Sequence, residues 1–554
     1  MMTGSGVSML SSIISTARYS TNNKPDDVYF EHKGTGMKSI VKPHHLAIAV
    51  FFSAMGLGTW QSAQAAVAQD TLMIGKPSDP QTLDPAVTID NNDWAITYPA
   101  YQRLVTYKVE DGKGSTEVQG ELASDWTVSA DNLIWDFKIK AGNLFDDGTE
   151  VNAQAVKFSF DRVMKLKQGP SGAFPEDMAV SVVDPLTVRF TLKAPYAPFL
   201  STLAHNGAAI VNPLVANKPE GAETYLSTHT AGSGAFKLVD WQKGQSLTLQ
   251  QNSYYAGPKP ALNKVVVKII GEASVRRLQL ERGDLDIVED MPEDQLKALA
   301  RKPGIVVGDY PSLRVTMLYL NTQKAPMSNP DARRAIIESI DYNGIIQGIL
   351  GGKAKPLNGP IPQGMWAYDE KLPALKQDLA KAKADLARVS PKVSNLTFMY
   401  SDKDPNWEPI GLTLQAGLQT LGVNMKMEKL ANASMRERLG SGDFDVAIGS
   451  WSPDFADPYM FMNFFFDSKL KGLAGNRSMY ENPAVDALIR ESATTNDMSK
   501  RVELYQKAQK IVLADSVYAY LYQKAYTLPM SEKVKGYVFN PMLEQVFNIG
   551  TITK

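Results

Sequence analysis

Two carboxylates three residues apart, Asp454 and Asp457, sit in the segment Trp451-Ser452-Pro453-Asp454-Phe455-Ala456-Asp457-Pro458. Paired carboxyl groups with divergent pKa values can act as the acid and base of a secreted hydrolase. On a proline-containing loop, at this spacing, they read better as one structural group and one ligand-binding group. The other catalytic signatures fail on their spacing. Gly351-Gly352-Lys353 resembles the end of a phosphate loop, but the motif's first glycine falls on Gln347 and Ala354 stands where Ser or Thr would hold a metal. A helix C-cap explains these glycines better. Gly232-Ser233-Gly234 opens like a dinucleotide fingerprint, yet Lys237 takes the third glycine position and leaves a turn. Ser450 follows Gly449 but is followed by Trp451-Ser452, so no nucleophile elbow is completed. The chain has no cysteine, which removes thiolate nucleophiles, disulfides and a lipid-modified N-terminal cysteine. His205 and His229 read as loop residues, too few for a zinc or copper site. Asp284, Asp286, Glu289 and Asp290 lack the spaced loop, glycine and terminal Glu of a calcium site and read as a solvated face. No catalytic constellation is complete and no cofactor or metal is expected; the pattern suits a binder rather than an enzyme.

The elements that must position such a binder are mixed. Period-2 alternation predicts strands over 133–140, 186–192, 246–250 and 265–270. Helical spacing predicts helices over 153–166, 331–350, 376–389, 408–421 and 482–513, the last broken near Asn496. The class is therefore α/β. With 554 residues, 44% hydrophobic and 21% charged, the chain can bury a large core over two to four domains. A formal charge of -1 supplies no general field for nucleic acid. Tyr310-Pro311 and Leu528-Pro529 are candidate crossings between lobes. Near the start, Lys38 and Lys42 precede an apolar run over 46–57 and then Ala63-Gln64-Ala65, the order of a secretory signal peptide over 37–65. The run is too short to span a bilayer, so cleavage near Ala65 and a periplasmic location are expected. Residues 1–36 are polar and read as a mis-called N-terminal extension, with Met37 as the true start.

An ordered series of segments resembles the extracellular solute-binding proteins of family five, the peptide, nickel and oligopeptide receptors of ABC importers. The series runs Leu83-Asp84-Pro85, Tyr101-Gln102-Arg103-Leu104, Leu122-Ala123-Ser124-Asp125-Trp126, Trp135-Asp136-Phe137, Phe145-Asp146-Asp147-Gly148-Thr149 and Val156-Lys157-Phe158-Ser159. It continues through Gly283-Asp284-Leu285-Asp286, Ala332-Arg333-Arg334-Ala335-Ile336 and Gly442-Asp443-Phe444-Asp445 to Trp451-Ser452-Pro453-Asp454. Gln154-Ala155 departs from the usual acidic pair. The resemblance implies a two-lobed, pear-shaped periplasmic binding protein with an additional subdomain. Lobe one would comprise 70–112, 231–311 and 527–554, the subdomain 113–230 and lobe two 312–526. It also implies a receptor, a monomer by family default, that closes a hinge around a peptide or peptide-like solute and presents it to an inner-membrane ABC permease. No nucleic acid is implied.

By the same resemblance Asp454 matches the carboxylate that takes a peptide's α-amino group, and Trp451 a wall aromatic of the ligand pocket. Ser450 and Ser452 can add hydrogen bonds from that loop. Asn91, Asn92, Asp93, Trp94 and Tyr98 lie where the family's first lobe faces the cleft. One departure matters. Dipeptide-binding relatives carry an arginine before proline in the loop that here reads Ser401-Asp402-Lys403-Asp404-Pro405-Asn406-Trp407, with Asp404 near the arginine's place. Lys403 can substitute only without the guanidinium fork. That turns the expectation from a free dipeptide toward a longer peptide, an amine-bearing solute such as an opine, or an oligosaccharide stacked on Trp451, Trp407 and Trp94.

Overall fold

The computed structural model describes residues 70–472 and 475–554. The signal peptide expected over 37–65 and the extension expected over 1–36 lie outside them. Among the described residues no helix is long and apolar enough to cross a membrane.

Two large sheets organise the chain. The first has seven strands in the order Ile305–Tyr310, Tyr526–Ser531, Ile287–Val288, Thr71–Lys76, Lys264–Ile269, Ser246–Gln251 and Phe236–Gln242. Its middle strand, TLMIGK, is apolar and buried along almost its whole length because parallel partners flank it on both sides. The second sheet has six strands in the order Ala354–Pro356, Tyr518–Lys524, Val315–Leu320, Val446–Trp451, Asn395–Ser401 and Asn424–Leu430. Val315–Leu320 is buried at every position. A four-stranded antiparallel sheet (Ala123–Val128, Ile134–Ile139, Thr187–Thr191, Ala179–Asp184) and the hairpin Val105–Glu110/Lys113–Gly120 complete the set. The largest apolar cluster takes in Phe137 and Phe190 of the four-stranded sheet as well as Leu318 and Ile448 of the six-stranded one, whereas Leu72, Phe236 and Val265 of the seven-stranded sheet pack in a separate cluster.

The chain leaves the seven-stranded sheet after Tyr310 and enters the six-stranded one at Val315, so Tyr310-Pro311 does mark a crossing. The return is made at Ala525, not at Leu528-Pro529. Pro529 lies inside a strand, paired with Val307, and is tolerated because the strand on its other side, Ile287–Val288, is only two residues long. The helix expected over 331–350 is also interrupted. Pro330–Ser339 is helical, Ile340 turns extended, the Asp341 carboxylate caps Gly344 N at 2.8 Å, and Gly344–Ile349 forms a π-helical turn. A local cap competes with continued helix there, and the apolar spacing is indifferent to the outcome. The break in 482–513 falls at 495–497, between Pro483–Thr494 and Met498–Ala514.

The acidic run is not a solvated face throughout. Asp286 accepts Met73 N and pairs with Lys554 Nζ, both at 2.8 Å, and Glu289 pairs with Lys76 at 2.5 Å, with all four groups largely sequestered. Burial of a carboxylate demands such partners, and the partners come from segments over 180 positions away in sequence.

Candidate functional site

Three neighbouring strands of the six-stranded sheet run parallel: Asn424–Leu430, Asn395–Ser401 and Val446–Trp451. Open α/β sheets bind ligands beyond the carboxyl ends of such strands, where successive loops converge. The loop after Asn395–Ser401 carries Lys403 and leads into Trp407, the first residue of the helix Trp407–Thr420. After Asn424–Leu430 comes the helix Asn432–Ser441 with Met435 and Arg436. After Val446–Trp451 comes the loop with Asp454.

Lys403, Trp407, Arg436, Ser450, Trp451 and Arg477 line one recess of about 120 Å³. Arg477 is 8% exposed and reaches in from outside these three loops. Its Nη1 donates to Tyr319 Oη at 2.9 Å, and its guanidinium lies over the Trp451 ring at 5.4 Å. Gly449 makes that placement possible, since any side chain there would collide with the Tyr319 ring. Among the described residues no carboxylate pairs with Arg477, and its Nε has no hydrogen-bond partner. Trp407 Nε1 and Trp451 Nε1 are likewise buried without an acceptor. Lys403 is pushed below its ordinary pKa, first by loss of solvent and then by Arg314, Arg436 and Arg477, with Asp90 acting in the opposite sense. The recess is therefore rich in donors and positive charge.

Asp454 is different. It is open to solvent, yet desolvation by surrounding protein pushes its carboxyl up to about 6. Accessibility combined with crowding describes the wall of a cleft. No hydrogen bond or ion pair reaches its carboxylate among the described residues. Tyr107, on the hairpin, lies close enough for the Asp454 charge to help raise its phenol. Asp457 has the opposite character: it is buried and clamped by both terminal nitrogens of Arg501 at 2.8 and 2.9 Å. A buried carboxylate locked in a bidentate ion pair faces its arginine rather than the cleft and is not free for acid–base work on a ligand, so the hydrolase pairing of Asp454 with Asp457 fails on geometry.

The other predicted residues divide. Ser450 lines the recess, and Ser452 lies partly exposed on the loop beside it. Trp451 is not an open platform, because Phe464 stacks on it at 4.4 Å and Arg477 takes up ring surface. Trp94 is buried against His205 at 5.0 Å, with Nε1 donating to Thr88 O. Trp407 is 3% exposed. An oligosaccharide stacked on these three indoles would need faces that packing has already covered. Asn92 spends its Nδ2 on the carbonyls of Ser78 and Asp79 and lines an acidic hollow with Asp79, Asp90 and Asp93. Asn91 caps nothing there, and Asp93 is turned inward to accept from Gln81 N and Thr88 Oγ1. Tyr98 faces a separate cavity of about 330 Å³, under the Arg103 guanidinium at 3.5 Å. Arg436 and Arg477 escaped the sequence reading. Arg436 was findable from the rule about strand ends, whereas nothing in Asn476-Arg477-Ser478 signals its direction.

A two-lobed α/β body with a charged recess at the ends of parallel strands defines the architecture of periplasmic peptide-binding proteins. The model of the bacterial extracellular solute-binding proteins, family 5, matches residues 117–472, and the chain belongs to that family. It is 56% identical over 494 residues to the probable D,D-dipeptide-binding periplasmic protein DdpA of Escherichia coli strain K12, covering 89% of this chain and 96% of that protein. It is 28% identical to the dipeptide-binding protein of the same strain, covering 82% and 90% of the two chains. Among solved structures, the periplasmic binding protein DppA from Helicobacter pylori in complex with peptide STSA superposes with a TM-score of 0.74 at 28% identity, covering 87% of this chain and 98% of that one.

Proposed function

We propose that this protein is a periplasmic receptor for a short peptide, a D,D-dipeptide above all, and hands it to an ABC import permease by closing its lobes around it. The observation that supports the reading is Asp454: a solvent-open carboxylate on a cleft wall that no hydrogen bond or ion pair reaches among the described residues, while Asp457 on the same loop is clamped by Arg501. An ammonium ion entering there forms a charge-assisted bond and relieves the carboxylate's unfavourable desolvation. The 56% identity with a protein named for D,D-dipeptide binding supports this ligand class. It weighs toward a dipeptide against the expectation drawn from the missing arginine at Asp404, and the guanidinium groups of Arg436 and Arg477 beside Lys403 are consistent with that choice.

In this reading lobe one comprises 70–112, 231–311 and 527–554, the subdomain 113–230 and lobe two 312–526. The signal peptide is cleaved near Ala65, no lipid anchor is added, the receptor is a monomer and it turns nothing over. Closure desolvates the ligand and creates the surface that the permease reads. The test is a thermal-shift and calorimetric titration of the ligand-stripped protein with D-alanyl-D-alanine, its L,L enantiomer, the N-acetylated D,D form, an opine and an oligosaccharide. A ligand at 100 times its Kd adds about 2.7 kcal/mol of stability. A shift with the free-amine dipeptide and none with its acetylated form is expected. A shift with only the opine or the sugar would sink the peptide reading.

A further inference from the structure

We propose that Tyr107 and Tyr196 are positioning residues for Asp454: carried on the lobe-one side of the molecule, they clasp the segment 456–459 just beyond it as the lobes close, so that the amine anchor is set only in the closed receptor. This role rests on the peptide-receptor reading above and adds the groups that hold the anchor without touching the ligand. The subdomain 113–230 travels with lobe one. Arg162 forms a bidentate ion pair with Asp84, Thr97 Oγ1 donates to Asn206 Oδ1 at 3.0 Å, and the backbone bonds from Asp146 N to Gly232 O and from Ile210 N to Gln102 O are both 2.9 Å long. Buried polar links of this kind cannot part without stranding their groups.

Toward lobe two the subdomain presents contacts of another kind. The Tyr196 ring meets Tyr459 edge-on at 5.6 Å, and Ala197 N donates to Ala493 O at 2.7 Å. Ala197 and Ala493 are both partly exposed, so water can take up the N–H and the carbonyl when the bond opens, and the contact is released at little cost. Tyr459 in turn stacks on Phe455 at 6.2 Å, next to Asp454. Tyr196 also lies close enough to Asp457 and Arg501 for both charges to bear on its phenol, so it covers the ion pair that fixes the far end of the loop. Tyr107 reaches the same segment from the hairpin strand Val105–Glu110. It is 4% exposed, and its hydroxyl accepts a hydrogen bond from Ala456 N.

The two halves of the molecule are joined by the crossings at Tyr310-Pro311 and Ala525. Contacts from Tyr107 and Tyr196 onto 456–459 are therefore ones that hinge opening breaks and closure re-forms. They add to affinity without meeting the ligand, because a receptor competent only when closed binds in proportion to its closed fraction. They also fix the backbone on one side of Asp454, while Trp451 is held from the other by Phe464. An anchor positioned by closure favours a ligand small enough to let the clasp shut.

The test uses the absence of cysteine from the chain. Cysteines introduced at Val183 on the subdomain and Leu412 on lobe two, each about half exposed, carry spin labels whose separation reports closure in the full-length mature protein. D-alanyl-D-alanine should shorten that distance in the wild-type background. In Tyr107→Phe, which removes only the hydroxyl, and in Tyr196→Ala, the Kd for the dipeptide should rise about threefold to tenfold. Faster dissociation should carry the change with association within twofold of wild type, and the bound protein should regain an open population. Tyr196→Phe keeps the ring and should bind within twofold of wild type. The ligand-free melting temperature should hold in all three, since the open receptor does not make these contacts; should Tyr196→Ala fail to fold, Tyr107→Phe still reads the clasp. A ligand-free melting temperature that falls while Kd is unchanged would make the two tyrosines packing groups and overturn the assignment. Wild-type affinity in both variants, with the dipeptide still shortening the label distance, would overturn it too and leave the peptide receptor standing. If the dipeptide neither binds the wild-type protein nor shortens the distance, the peptide reading and this role fall together.

Discussion

Replacing Asp454 by Asn and titrating binding against pH isolates the amine anchor. In the free protein its carboxyl is pushed up to about 6 by desolvation. An ammonium ligand needs the ionised form, so affinity should be full above that value. It should weaken about twofold at pH 6 and about tenfold at pH 5, following the ionised fraction. At the alkaline end a peptide amine loses its proton near pH 7.7–8.0, so affinity falls again and the profile is a plateau between two shoulders. Loss of the charge-assisted bond in Asp454→Asn should cost about 1.5–3 kcal/mol, or roughly 10- to 150-fold in Kd, and should erase the acid shoulder. His205 does not confuse the window, because burial holds it down to about 4. Stability moves the other way. An acid whose folded-state pKa is raised contributes stability that is present at low pH and lost as pH rises through about 6. The ligand-free Asn variant should therefore be slightly more stable than wild type at pH 7–8, by less than about 1 kcal/mol given the solvent around the group, and equal to it below about pH 4. Calorimetry in buffers from pH 5 to 9 decides the matter. An acid shoulder that persists in Asp454→Asn, or a wild-type Kd that is flat from pH 5 to 7, would refute the anchor.

Three further outcomes follow from the same physics. Asp146 is also pushed up to about 6, chiefly by desolvation, with Lys237 opposing; Asp146→Asn should stabilise the protein at pH 7 by up to about 3 kcal/mol, lose that advantage below about pH 4, and leave the pH profile of binding unchanged. Arg501→Met strands the buried Asp457 carboxylate and should cost about 3–5 kcal/mol in urea denaturation, most of it recovered when Asp457→Leu is added. Trp407→Phe removes a buried donor that has no acceptor in the free protein, so its melting temperature should change little while the affinity for a free-acid dipeptide falls about threefold to tenfold; equal losses in stability and binding would assign Trp407 to packing alone.

How much of this was legible in the sequence depends on whether the deciding forces were local. The strand Ser246–Gln251 and the helix Ala153–Leu166 lie where alternation and helical spacing put them, because one face of each is buried and the pattern records which. The break at Ile340 was not legible, since Asp341 decides it through a cap that apolar spacing does not encode. Pro529 misled for a related reason: proline is excluded from a strand only where its missing N–H would be needed, and the length of the neighbouring strand settles that. At the candidate site, an ordered motif draws attention to Asp454, whereas nothing in the sequence draws attention to Arg477, whose lack of an acidic partner is a property of the folded chain. Trp94 and Trp407 were readable as aromatic residues near the cleft, but whether a ring offers a face or is packed away depends on neighbours such as His205.

The loop after Val446–Trp451 shows why two carboxylates three residues apart have opposite fates. Trp451 is fixed by stacking on Phe464, and Asp457 by its bidentate ion pair with Arg501 while it also accepts from Tyr459 N at 2.9 Å. With both ends held, Asp454 has little freedom to fold back and satisfy itself. A carboxylate held open in this way keeps an unfavourable desolvation that only a cation from outside can relieve, and the ordering cost of the loop is met before the ligand arrives. The donor recess on the adjoining loops is the complementary case, with buried N–H groups waiting for an acceptor. On the proposed reading, the cleft discriminates by what it leaves unsatisfied: a blocked amine would leave the Asp454 carboxylate buried and uncompensated, a far larger loss than any missing apolar contact.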